Sequence, residues 1–332
     1  MKRTLTNGKS VQFIFTGRTT AEYHTPGNSI LGNSDGAPPV AEKTVTVDDL
    51  LISSAFVYEL DETLAHYDLR GEISRKIGYA LAEKYDRKIF RAVTKAARTA
   101  SPITKTNFVE PGGTQIRVGS TGTNASDAYN SVSLVNAFYD AAAALDEKGV
   151  SGEGRVAVLN PRQYYELIQN VETNGLINRN ERGDAIQSGN GIIEIAGITI
   201  YKSMNIPFFG RFGTKFGAAT STTPGVTDPG NTGDFTEVVM VDETAGSGAT
   251  KTVNSYGNGN SDFENSCGLI FQKEAAACVE AIGPQVQVTS GDISVVYQGD
   301  VILGRLAMGA DALNPAASVE LFAGTATKPA AF

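Results

Sequence analysis

The chain has 332 residues, with 28 Lys and Arg against 36 Asp and Glu for a formal net charge of −8. That length suffices for two compact units or one larger body with extensions, and the acidic balance argues against a protein whose whole surface wraps nucleic acid, which requires clustered cations. Glycine runs at about eleven per cent against roughly seven in average proteins, so turns should be plentiful, and the two cysteines, Cys267 and Cys278, have neither zinc-site spacing nor the number for a disulfide framework and read as reduced core residues.

In chain order, MKRTLTNGKS carries positive charge without the apolar segment of a signal peptide, and no run of eighteen apolar residues occurs, so neither export nor a membrane-spanning helix is expected. Two strand-like stretches follow, GKSVQFIFTGRTTAEY and KTVTVDDLLISSAFVYEL, separated by the turn-rich PGNSILGNSDGAPPV. They predict a long hairpin over 8–60 with a polar tip, Val11, Phe13 and Phe15 alternating with Gln12 and Ile14 in its first arm. An isolated two-stranded ribbon is marginal in water, so this one must lie on something else.

From Asp61, an N-cap candidate, to about Arg98 the chain has no Pro and only Gly71 and Gly78, which predicts one helix of some 38 residues and roughly 57 Å. Leu69, Ile73, Ile77, Leu81, Tyr85, Ile89 and Val93 recur every four residues. On a helix of about 3.6 residues per turn this stripe rotates by about 40° per step, so the rod should meet different neighbours along its length. Lys84, Arg87, Lys88, Arg91, Lys95 and Arg98 share one basic face within about 100°, either a complement to the helix dipole or a site for an anionic partner. Glu72 with Lys76 and Glu83 with Arg87 add i,i+4 support.

Pro102 stops the helix, and 101–130 reads as a Gly, Ser, Thr and Asn-rich surface segment. SLVNAFYDAAAALDEKG (133–149) is a second amphipathic helix closed by Gly149, VAVL a short buried strand, Asn160-Pro161 a turn into another helix, and IIEIAGITIYKSMNIP (192–207) a strand pair around Ala196-Gly197. Residues 208–262 read as loop insertions around the strand-like EVVMV at 237–241, and strands close the chain around VQVT and from VVYQGDVILG to SVELF. Helices and strands in this irregular order imply an α+β architecture.

Candidate chemistry is sparse. The two histidines, His24 in the hairpin and His66 in the rod, sit in no metalloprotease-like arrangement. GNGNSDFENSCG lacks the Walker Lys-Ser/Thr and a third spaced Gly. Its Asn258, Asn260, Asp262 and Glu264 lack EF-hand spacing, which leaves a surface loop as the reading and a calcium site as its alternative. Asp48-Asp49 and Asp61-Glu62 read as solvated or capping carboxylates, since strand neighbours point to opposite faces. No catalytic residue, metal site or cofactor is assigned. The weight moves to structure and binding.

NGKSVQFIFTGRTTAEYHTPG, EKTVTVDDLLISSAFVYELDETLAHYDLRGEISRKIGYALA, RVAVLNPRQYYELI and QGDVILGRLAMGADALNPAA, in this order, resemble the major capsid proteins of tailed bacteriophages with the Hong Kong 97-like fold, in particular those of T7-like (autographivirus-type) short-tailed phages. The resemblance implies a short N-terminal arm (1–7), an E-loop (8–60) reaching over an adjacent subunit, a peripheral domain (61–124) with a spine helix (about 61–98), an axial domain (125–280) carrying the insertion 208–262, peripheral return strands (281–323) and a tail (324–332). It implies a self-assembling, non-enzymatic shell protein forming hexamers and pentamers around double-stranded DNA, in a virion assembled in the host bacterial cytoplasm. Its partners would be further copies of itself, scaffold protein, portal protein, decoration proteins and packaged DNA through non-specific contact, and no membrane. Arg18, Glu22, His24, Asn28, Lys43, Asp48 and Asp49 are then expected at contacts between subunits, and the basic face from Lys84 to Arg98 toward the shell interior or against a neighbour's E-loop acids. A phage tail or decoration protein, which should be mainly β, and a polysaccharide-active enzyme with paired carboxylates are the competing readings.

Overall fold

The structure, a computed structural model, describes residues 1–17, 21–29, 39–65, 67–105, 108–119, 125–169, 193–207, 266–289 and 296–329. Strands Lys2–Thr4 (β1), Ser10–Thr16 (β2), Val40–Thr46 (β3) and Leu51–Tyr58 (β4) precede helices Glu59–Leu64 (α1) and Leu69–Arg98 (α2). Strands Thr104–Lys105 (β5), Phe108–Val109 (β6) and Thr114–Arg117 (β7) lead to helix Ser131–Glu147 (α3), strand Arg155–Leu159 (β8) and helix Pro161–Gln169 (α4). Strands Ile193–Ile195 (β9), Ile198–Lys202 (β10), Ser266–Gln272 (β11), Ala276–Val288 (β12), Gly299–Ala312 (β13) and Ser318–Phe322 (β14) follow. The expected segments 208–262, EVVMV, the Asn258 to Glu264 loop and His66 lie outside the described residues.

The expected 38-residue rod is two helices. Its break comes at Ala65, which turns extended, and Asp68 rather than Asp61 caps the long helix by accepting a hydrogen bond from the Gly71 amide at 2.9 Å. A Cβ at Gly71 would meet that same carboxylate, whose side chain would have to shift to make room. Arg70 spans the break, reaching Glu62 at 2.6 Å and Asp300 at 2.7 Å.

Two sheets flank α2. In the four-stranded sheet, ordered β1-β12-β13-β4, strand β13 runs antiparallel between β12 and β4. One face packs on α2 through Val57, Ile302, Leu306 and Met308 against Ile77 and Leu81, with Leu69, Ile73, Tyr85 and Ile89 joining the same cluster. In the six-stranded sheet, ordered β7-β14-β11-β8-β10-β9, the strands lie on α3 and α4 over a core centred on Phe138, Leu134, Leu159, Ile198 and Leu321. The β9–β10 turn is carried by Ala196 and Gly197 at φ 51° and 75°, the left-handed pair that a two-residue hairpin turn requires.

Three expectations change. KTVTVDDLLISSAFVYEL is not one hairpin arm, because β3 pairs with β2 while β4 leaves at Val47–Leu50 to pair with β13. Residues 1–7 do not form a free arm, since β1 lies parallel to β12. The 101–130 stretch holds β7, paired with β14, together with the buried Val118 and Ala128.

Gly304 on β13 lets sheet and helix approach closely. A Cβ there would overlap Ile77 Cγ2 and sit 2.9 Å from Leu81 Cδ1. We expect Gly304→Val to force α2 off the sheet and cost about 1–3 kcal/mol, read as a lower midpoint in urea.

Candidate functional site

The hairpin β2–β3 does not stand free. Its pairing places Val11, Phe13 and Phe15 with Ala41, Lys43 and Val45 on one face, and Phe13 and Val45 pack on Val279 and Ala307 of the four-stranded sheet, on the side away from α2. The chain then turns at Val47–Leu50, where the Asp48 amide donates to Met308 O at 3.1 Å. Gly309 makes room for this turn: a Cβ there would strike the Thr46 carbonyl and lie 3.1 Å from Val47 Cα.

Charges fasten this root to the helix. Asp311 on β13 holds Lys43 of the hairpin at 2.9 Å and Lys95 of α2 at 2.8 Å. Asp48 pairs with Lys88, whose side chain is 4% exposed. Between them lies a cleft of about 360 Å³ lined by Asp48, Lys88, Arg91, Lys95 and Asp311. Burial pushes the Lys88 amine below its ordinary value against the pull of Asp48. Burial alone would raise the Asp311 carboxyl, but the Lys95 and Lys43 ammonium groups outweigh it and hold it below the usual carboxylate range.

One helical turn further on, Arg98 forms a bidentate pair with Glu320 of β14, Nε to Oε2 at 2.7 Å and Nη2 to Oε1 at 2.6 Å, with both side chains almost wholly buried. Gln115 of β7 donates to the same carboxylate at 2.9 Å, and Ser318 donates to Val93 O at 2.9 Å. The C-terminal turns of α2 are thereby tied to the six-stranded sheet, while its earlier turns serve the other. The rotating stripe foresaw this change of neighbours.

The expected site residues divide accordingly. Glu22, His24 and Asn28 lie in the exposed 21–29 stretch, Asp49 is exposed, and Arg18 is outside the described residues. Lys43 and Asp48, expected between subunits, are engaged within the chain, Lys43 with Asp311 of β13 and Asp48, on the return at Val47–Leu50, with Lys88 of α2. Nor do the six cations of α2 form one open face. Arg87, paired with Glu83, is buried along with Lys88 and Arg98, whereas Lys84, Arg91 and Lys95 are half-buried. A helix between two sheets turns its flanks toward them, and acids on β13 and β14, on the return before β4 and on α2 itself take up the charge.

Asp311 and Glu320 escaped the sequence reading. Glu320 is the lone charge of its strand, SVELF, and Asp311 the lone acid in the second half of β13, and such an acid needs a cationic partner once buried. Cys267 and Cys278 are free and buried. Among the described residues no group of three or more His, Cys, Asp or Glu could hold a metal ion, and no helix is long and apolar enough to cross a membrane.

Comparison with known proteins supplies a context for this geometry. Residues 13–255 match the model of the Gp10A-like family, described as major capsid protein. The major capsid protein of Escherichia phage T7 is 27% identical over 173 residues, 51% of this chain and 49% of that protein, so the chain spans about half the length of this relative. The capsid structure of cyanophage P-SCSP1u superposes with a TM-score of 0.71 at 29% identity, covering 97% of this chain and 85% of that one. The mature capsid of bacteriophage PhiM1, at 15% identity and a TM-score of 0.64 over 97% of this chain and 84% of that one, shares the fold.

Two outcomes test the charge assignments. Arg98→Met strands the Glu320 carboxylate in the core and should cost about 3–5 kcal/mol by urea unfolding, most of it recovered in Arg98→Met/Glu320→Leu, where no buried charge is left. Asp311 titrates below its unfolded value, so its stabilising contribution is present above the ordinary carboxylate range and is lost as pH falls through the depressed value. Asp311→Asn should therefore lose less stability than the wild type between about pH 5 and pH 2, compared as urea midpoints.

Proposed function

Because this chain belongs to the Gp10A-like major capsid protein family and carries the α+β Hong Kong 97-like capsid fold, we propose that it is the head protein of a tailed phage, assembling into the hexamers and pentamers of an icosahedral shell around double-stranded DNA. The observation that carries this reading is a hairpin seated on the four-stranded sheet and tied through Asp48 to a 30-residue helix that packs on both sheets. It is a stiff subunit with a projecting arm, suited to tiling.

In this reading residues 61–124 and 281–323, with α2 and β13, are the peripheral domain, residues 125–280, with α3, α4 and the four strands β8 to β11, are the axial domain around the capsomer centre, and the 8–60 hairpin is the arm that meets a neighbour. Scaffold protein guides a procapsid, portal protein occupies one vertex, and decoration proteins bind outside. The shell forms in the host bacterial cytoplasm and persists as the virion capsid. Contact with packaged DNA is non-specific and falls to the half-buried Lys84, Arg91 and Lys95 rather than to the buried Arg87, Lys88 and Arg98. Many weak symmetric contacts, multiplied around a closed shell, supply the stability. The role is assembly, not catalysis.

Negative-stain electron microscopy with sedimentation velocity, on the protein alone and with its phage's scaffold protein, tests this. Uniform shells or rings of five and six subunits are expected, and a stable monomer under both conditions would overturn the reading.

A further inference from the structure

Lys88, Arg91 and Lys95 stand at i, i+3 and i+7 on α2 and so share one side of the helix. All three line the cleft of about 360 Å³ at the hairpin root, with Thr46 of β3 and the acids Asp48 and Asp311 among its other walls. Asp311 is already divided between Lys95 at 2.8 Å and Lys43 at 2.9 Å, and Asp48 is taken by Lys88. Four cations thus gather on two carboxylates, a local excess of positive charge in a chain whose net charge is −8. Lys88 feels that excess most. Its side chain is 4% exposed, and its ammonium carries three N–H donors, of which one carboxylate can accept two at most. Arg91 has a partner of its own, but its guanidinium has five N–H groups to place. Burial lowers the Lys88 amine more than Asp48 raises it, and Arg91 pushes in the same direction as burial, so the acids present do not compensate the charge collected here.

We propose that this cleft binds an oxyanion of the phosphate class, with Lys88 at its floor and the half-buried Arg91 and Lys95 at its mouth. The donor set suits that ligand. A guanidinium meets two phosphate oxygens at once, while each lysine supplies a compact point charge. Volume suits it too: with liquid water taking roughly 30 Å³ per molecule, the cleft holds one phosphate group and part of its hydration shell, but not a nucleic-acid duplex. The occupant offsets the repulsion among the four cations. Because the walls come from the hairpin, the return before β4, β13 and α2, it also tightens the hairpin root on the helix. A phosphate group reaches such a site either as a free ion or as a phosphodiester of a nucleic-acid backbone, which Arg91 and Lys95 at the mouth can meet from outside.

The test is a titration of the full chain with inorganic phosphate at constant ionic strength in sodium chloride, followed by the phosphorus-31 line width and by the melting temperature. A saturable rise in both is expected. The general stabilisation that phosphate gives by exclusion from protein surfaces grows without saturating and is common to all variants. Arg91→Gln and Lys95→Gln, both at the half-buried mouth where folding is least disturbed, should each weaken binding about tenfold, the loss of one charge-assisted contact. Lys76→Gln, on an exposed turn of the same helix, should leave it unchanged. A second arm adds a short DNA duplex. If the duplex binds with the same sensitivity to Arg91→Gln and Lys95→Gln while free phosphate does not bind, the site takes its phosphate from a nucleic-acid backbone; if phosphate binds and the duplex does not displace it, the ligand is the free ion. Absence of saturable binding in both arms overturns the proposal, as does binding that Arg91→Gln and Lys95→Gln leave as tight as in the wild type.

Discussion

An apolar residue every fourth position cannot stay on one side of a helix that turns every 3.6 residues. Over the 30 residues of α2 the drift is enough to change partners, from Ile77 and Leu81 against β13 to Val93, Ser318, Arg98 and Glu320 at the six-stranded sheet. Both sheets are therefore indexed to one rod, which packs on each of them. A subunit built in this way holds its shape through the stiffness of a single element.

The charged contacts along that rod do different work. The Arg98–Glu320 pair is sealed from water and satisfied on both carboxylate oxygens, with Gln115 adding a third donor. Such a pair contributes little beyond what apolar residues of the same volume would give, but it penalises any misplacement of the helix end, since a slip strands a charge. At the hairpin root the arrangement is looser. Lys43 and Lys95 share Asp311 with about two fifths of each lysine side chain exposed, so solvent screens the contact and either lysine can leave at modest cost. One end of the helix is fixed firmly, while at the hairpin root these exposed contacts stand beside the buried Asp48–Lys88 pair and the buried Phe13 and Val45.

Much of this was legible in the sequence, and the failures have physical reasons. The helices at 131–147 and 161–169, the strand at 155–159 and the turn at Ala196-Gly197 follow from local signals of period, cap and turn chemistry. The break before Leu69 was hidden because Asp61 and Asp68 are equally good caps on paper, and only the fold over Gly71 decides between them. Strand β4 was absorbed into the hairpin because its residues have the same β character as those of β3. What separates them is a partner, β13, that arrives about 240 residues later. The basic face was read from angular spacing alone, which locates charges around a helix but does not say whether water or a buried acid such as Glu320 awaits them.

The same long-range pairing shapes how the chain comes into being. Tyr58 cannot meet Gly299 until the whole intervening sequence has been synthesised, and β1 waits longer still for β12. At the roughly 5–20 residues per second of translation, the first strands and α2 spend on the order of ten to fifty seconds without the sheet that covers their apolar stripe. The six-stranded core faces a similar delay, since β11 and β14 are also late. Until those strands arrive the half-built chain keeps apolar surface in water, where it is open to association with other unfinished chains.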